Sequence, residues 1–166
     1  MFTSVNDIIK VGIAQMDVVR VPKTIRTSGL GSCVGVVLYD ESTKTAGMIH
    51  VMLPDSTLGK VDSLNVAKFA DTGIEELISR LTKMGASRNS LVAKIAGGAQ
   101  MFAFKSNNDM LRIGDRNIEA TKEKLKTEGI KIIAEDTGLN YGRTIEFYPE
   151  TGELWVKSVG KQRKIL

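Results

Sequence analysis

The sequence predicts an α+β fold, a single layered domain of mixed and antiparallel β-sheet covered by helices. Three observations predict it. Apolar, β-branched runs separated by short polar loops fill residues 8–53 and return at 144–157. A stretch over 64–84 places apolar residues three and four apart. The element order is strands, helix, strand, helix, strands, which suits helices laid on sheet faces.

Ile8 to Val21 is mostly apolar and β-branched and reads as one or two strands. Thr27-Ser28-Gly29-Leu30-Gly31-Ser32 reads as a turn-rich connector. Cys33 to Tyr39 is a nearly continuous apolar run, the pattern of a strand buried on both faces. Polar residues 40–45 join it to a second run, Ala46 to Leu53, ended by Pro54, so the two form a hairpin. Leu64, Ala67, Ala70, Ile74, Leu77, Ile78, Leu81 and Met84 share one helix face, with Asp62 or Ser63 as cap and Gly85 as terminator. Leu91 to Ala96 is a short strand entering Gly97-Gly98. Asn117 to Glu128 is a polar helix ended by Gly129, and Ile130 to Ala134 is a strand. Thr144–Tyr148 and Glu153–Lys157 flank Pro-Glu-Thr-Gly as a second hairpin.

The 166 residues contain no repeat or low-complexity linker, so one domain over 1–166 is expected. No run approaches the roughly 20 apolar residues of a membrane helix. The first 20 residues lack a secretory pattern. One cysteine cannot form an internal disulfide, and the chain reads as cytoplasmic. A net charge of +4 invites a nucleic-acid reading. The basic residues are dispersed, however, only Lys161–Lys164 clusters them, and aromatics for base stacking are few. No nucleic acid is therefore expected as partner; a mildly basic surface favours acidic protein partners.

The chain holds one cysteine and one histidine, and the predicted hairpin brings them together. In an antiparallel pair the residue numbers of facing partners sum to a constant. If Tyr39 faces Ala46 the sum is 85, Gly35 faces His50, and Cys33 lies diagonally beside His50 on the same face. A sum of 83 puts Cys33 directly opposite His50. Either register unites them, and a slip of one residue separates them. An imidazole beside a thiol can take its proton and later return it to a leaving group, which an amide substrate requires. The N–H groups of the glycine-rich approach Gly29-Leu30-Gly31-Ser32, or that of Cys33, are candidate oxyanion donors. Thr27, Asp55 and Gln100 are rival candidates to orient the imidazole, and spacing alone does not choose among them. No CxxC, HExxH, P-loop or GxGxxG motif supports a metal, redox or nucleotide reading, and no cofactor is expected.

Gly29-Leu30-Gly31-Ser32-Cys33-Val34-Gly35, Tyr39-Asp40, Gly47 to Pro54, Gly97-Gly98-Ala99, Ile113-Gly114-Asp115-Arg116-Asn117, Asp136-Thr137-Gly138 and Gly142-Arg143 together resemble the CheD family of chemoreceptor glutamine deamidases. Leu139 stands where a second glycine is expected, a departure confined to a loop. The resemblance implies a fold similar to the catalytic domain of cytotoxic necrotizing toxins, and a protein-glutamine glutaminase activity on chemoreceptor cytoplasmic helices. It implies Cys33 as nucleophile, His50 as base and Thr27 as orienter, with no metal or organic cofactor. It further implies association with CheC, a phosphatase of the chemotaxis response regulator. Gly31 and Ser32 are expected to border the substrate. Phe102, in the apolar stretch after Gly97-Gly98, is expected to face outward and contact the receptor helix or CheC. Two other readings use the same residues: a cysteine protease or transglutaminase, and a partner-binding module with little catalysis.

Overall fold

The computed structural model describes residues 7–58, 65–101 and 112–166. The first sheet has the order β1 (Ile8–Val11), β3 (Thr24–Leu30), β8 (Arg143–Tyr148), β9 (Glu153–Lys157), β10 (Lys164–Ile165). The second has the order β2 (Met16–Arg20), β5 (Thr45–Val51), β4 (Val34–Asp40), β6 (Val92–Gly97), β7 (Lys131–Thr137). In each sheet one pairing is parallel, β1 with β3 and β6 with β7, and the others are antiparallel. Helices α1 (Ala70–Lys83) and α2 (Ile113–Thr127) complete the elements that matter for the site. Among the described residues no helix is long and apolar enough to cross a membrane.

The layers are helices, second sheet, first sheet. Strand β4 is buried at every position because both its faces are covered. Val34, Val36 and Leu38 meet Ile74, Leu77, Ile78 and Leu81 of α1 and Leu125 of α2. Val37 and Tyr39 meet Ile25, Leu30, Ile145 and Phe147 of the first sheet. That double burial is what the unbroken apolar run of β4 records. Burying a single leucine or isoleucine of this kind contributes about 1.5–3 kcal/mol. The buried stripe of α2 is Gly114, Asn117, Thr121 and Leu125, two of them polar, so its packing face is not marked by hydrophobicity.

The hairpin takes the register with sum 85: Tyr39 faces Ala46 and Gly35 faces His50. The helix predicted from Leu64 begins at Ala70, preceded by a short 3-10 turn at Val66–Lys68; Leu64 and the proposed caps Asp62 and Ser63 lie outside the described residues. Helix α2 begins four residues earlier than expected, at Ile113. The expected connector at 27–32 is a correction of greater consequence. Its first four residues, Thr27 to Leu30, belong to β3, where Thr27 pairs with Val11 on one side and Ile145 on the other. The register shifts between Thr27 and Leu30, a bulge that absorbs the Ser-Gly content within a strand rather than ending it.

Candidate active site

His50 stands near the end of β5, where the β1–β2 loop fixes its backbone. Its N–H donates to Gln15 O (3.0 Å) and its carbonyl accepts from Ala14 N–H (3.0 Å). Its side chain leaves the face of the second sheet that looks at the first. Gly35 lies opposite. A Cβ on Gly35 would come within 3.1 Å of Leu30 Cδ1, so the absence of one lets the sheets approach here.

The imidazole meets Thr27 across the gap between the sheets. His50 Nδ1 lies 2.7 Å from Thr27 Oγ1, and both residues are buried. The Thr27 hydroxyl donates its one proton to Val11 O at 2.7 Å. It therefore faces Nδ1 as an acceptor, and Nδ1 must carry the ring proton in the neutral imidazole. Nε2 is left with its lone pair, buried and without a hydrogen-bond partner among the described residues. The Thr27 bond thus selects the tautomer in which Nε2 is the unprotonated nitrogen. Burial also holds the His50 pKa below its ordinary 6.5, which keeps the ring neutral at physiological pH.

Cys33, half-buried, packs against the same inter-sheet core, so thiol and imidazole share the face that register 85 assigns them. Burial pushes the Cys33 thiol above its ordinary 9.0, opposed by its own backbone N–H. Both groups are consequently neutral at rest, and the thiol needs a base to become a nucleophile. The loop before Cys33 is anchored inward by three successive carbonyls. Gly31 O accepts from Ala99 N–H (2.8 Å), Ser32 O from Asn117 Nδ2 (3.0 Å) and Cys33 O from Gly98 N–H (2.8 Å). Among the described residues no backbone carbonyl accepts from the N–H groups of Ser32 and Cys33.

Of the rival orienters, Thr27 is the one at Nδ1; the Asp55 carboxylate is turned to the Thr57 N–H at 2.9 Å. Gln100 donates its backbone N–H to Leu139 O. Gly31 and Ser32 lie in the loop directly before Cys33. Phe102 lies outside the described residues. Its neighbour Met101 is 48% exposed and lies over Gly31, where a Cβ would come within 3.3 Å of its Cγ. Ile13, 58% exposed, lies in the β1–β2 loop that also holds the His50 backbone. Two exposed apolar side chains therefore border the loop before Cys33 and the loop that holds the His50 backbone. Among the described residues no group of three or more His, Cys, Asp or Glu side chains could hold a metal ion.

The chain is 67% identical over 158 residues to the "Probable chemoreceptor glutamine deamidase CheD" of Lachnoclostridium phytofermentans, covering 95% of this chain and 98% of the relative. It is 60% identical to the "Chemoreceptor glutamine deamidase CheD" of Halalkalibacterium halodurans, over 96% and 98% of the two chains. It is 52% identical to the protein of that name from Bacillus subtilis, over the full length of both. The sequence model of the family described as "CheD chemotactic sensory transduction" matches residues 52–158. The chain belongs to the CheD family. The family-model match starts two residues beyond His50, so Thr27, Cys33 and His50 lie outside that match but within the length matched by the full-length relative.

Two features of the candidate site were not visible in the sequence. Asn117 appears within the Ile113–Asn117 block without a role, yet it reaches the loop before Cys33 from α2. Gly97, in its left-handed conformation (φ 109°), passes so close to the Cys33 carbonyl that a Cβ would collide with that oxygen. Glycine is a visible sign of close approach, but the chain it approaches is 64 residues away and only the fold supplies it.

Proposed function

We propose that this chain is a chemoreceptor glutamine deamidase, a protein-glutamine glutaminase that hydrolyses glutamine side chains of receptor cytoplasmic helices to glutamate. The observation that carries the mechanism is the Val11–Thr27–His50 hydrogen-bond chain, which leaves Nε2 as an unpartnered base on the Cys33 face. The names of the full-length relatives support the substrate.

In this mechanism Cys33 Sγ attacks the glutamine side-chain carbon while His50 Nε2 takes the thiol proton. The carbonyl oxygen becomes an oxyanion, stabilised by the N–H groups of Cys33 and Ser32. Nε2–H then gives its proton to the departing amide nitrogen, the C–N bond breaks, ammonia leaves and a thioester remains. Water attacks the thioester with His50 again accepting a proton, which returns to sulfur as glutamate is released. Thr27 holds Nδ1–H throughout and stabilises the transient imidazolium. The exposed Ile13 and Met101 form the apolar rim that meets the receptor helix. The phosphatase CheC, implied by the family resemblance, would compete for that rim.

The test is intact-mass analysis of a receptor cytoplasmic fragment incubated with the protein. A gain of about one dalton per modified site with stoichiometric ammonia is the expected result for an acyl-enzyme released by water. Cross-linked or cleaved fragments would instead identify a transglutaminase or a protease. An unchanged mass would overturn the enzymatic reading and leave a partner-binding module.

A further inference from the structure

Asn117 is fully buried on the inner face of α2, a place where a polar side chain must find partners. Its Nδ2 donates to two backbone carbonyls, Ser32 O and Met52 O, each at 3.0 Å. These two residues flank the site: Ser32 precedes Cys33, and Met52 follows His50 by two. Its Oδ1 is buried without a hydrogen-bond partner among the described residues, so both of its observed bonds go to the backbone of the site.

The Ser32 carbonyl belongs to the same peptide unit as the Cys33 N–H. That unit is planar and trans, so its C=O and N–H point in opposite directions. Holding the carbonyl inward on α2 therefore aims the Cys33 N–H the opposite way, out from the helix. Nothing else among the described hydrogen bonds holds this carbonyl. The neighbouring Gly31 and Cys33 carbonyls are held by the backbone N–H groups of Ala99 and Gly98, which no side-chain substitution removes. The helix is seated closely enough to reach, because at Gly114 a Cβ would lie 2.7 Å from Gly98 O.

We propose that Asn117 is a positioning residue that sets the oxyanion hole by fixing the orientation of the Ser32–Cys33 peptide, and that its tie to Met52 holds this peptide in register with the strand bearing His50. The proposal rests on the thiol mechanism above, and its test separates the two. Asn117→Leu removes the donors at similar volume, and Asn117→Asp is isosteric but turns an acceptor toward both carbonyls. Each variant is compared with the wild type in three assays below its melting temperature. Ammonia release from the receptor fragment should fall about 10–100-fold in kcat, less than or up to the loss from deleting an oxyanion donor, with KM changed less than about threefold. Alkylation of Cys33 by iodoacetamide, which needs the thiolate but develops no oxyanion, should keep its rate and pH profile within about threefold. Reversible inhibition by a small aldehyde, whose thiohemiacetal oxygen occupies the oxyanion position, should weaken by about the same factor as kcat.

Wild-type kcat in either variant would overturn the proposal. So would a parallel fall in all three assays, which marks general damage to the fold. If the wild type releases no ammonia, the deamidase reading fails, while the aldehyde and alkylation comparison still decides the role of Asn117. If neither variant folds, the Cys33 amide proton resonance of the wild type decides. It should shift on aldehyde binding, and an unshifted resonance would overturn the proposal.

Discussion

Replacing Thr27 by valine cuts the hydrogen-bond chain at its middle link while nearly preserving shape. The hydroxyl makes two buried bonds of 2.7 Å, accepting from His50 Nδ1 and donating to Val11 O. Leaving a buried donor unpaired costs about 1–3 kcal/mol. If that cost is expressed at the transition state, where the ring carries positive charge, 1–3 kcal/mol corresponds to roughly 5- to 150-fold in kcat at 1.4 kcal/mol per tenfold. The effect should fall on kcat, because Thr27 is buried and, in the proposed mechanism, orients the base rather than touching the substrate. Thr27→Ser keeps both bonds and should restore most of the turnover lost in the valine variant. The assay is steady-state ammonia release from a receptor fragment, with melting temperatures measured in parallel. Full turnover in Thr27→Val would refute the reasoning, as would equal losses in the serine and valine variants.

Cys33→Ala should fold normally, since the side chain is only half-buried, and should lose activity by far more than tenfold; residual turnover in a clean preparation would remove Cys33 as nucleophile. The folded His50 pKa lies below 6.5, so between pH 6.5 and that lowered value the unfolded chain binds a proton that the folded chain does not. Stability should therefore fall as pH falls through this window, and His50→Gln, measured by denaturant midpoint, should flatten that slope relative to wild type. Because the Cys33 thiol is pushed above 9.0, its alkylation rate should keep rising with pH beyond that value; a plateau below pH 7 would indicate a preformed thiolate–imidazolium pair instead. Gly97→Ala places a Cβ against the Cys33 carbonyl at a φ of 109°, and should lower the melting temperature and displace the nucleophile; unchanged stability and turnover would contradict the close approach.

The strands were largely legible because each element carries its own periodic signal. The unbroken run of β4 announced a twice-covered strand, and either of the two antiparallel registers considered placed Cys33 and His50 on one face, of which the fold takes the sum 85. Helix α1 was visible because its buried residues are apolar and spaced by three and four. Helix α2 was visible as a helix but not as a packing face, since Asn117 and Thr121 stand where periodicity seeks apolar side chains.

What the sequence by itself determined are the consequences of local pattern: strand and helix identity, and the shared face of the lone cysteine and the lone histidine, which either hairpin register left open by the sequence preserves. What the tertiary structure decided are the contacts between segments distant along the chain. Thr27 is in the first sheet and His50 in the second, so their bond exists only because the sheets stack, with Gly35 allowing their close approach. No spacing rule could choose Thr27 over Asp55, and none could send the side chain of Asn117 to carbonyls 85 and 65 residues away. Periodicity reports how a segment meets its immediate neighbours; which buried donor meets which buried acceptor across layers is settled only when the whole chain satisfies its polar groups at once.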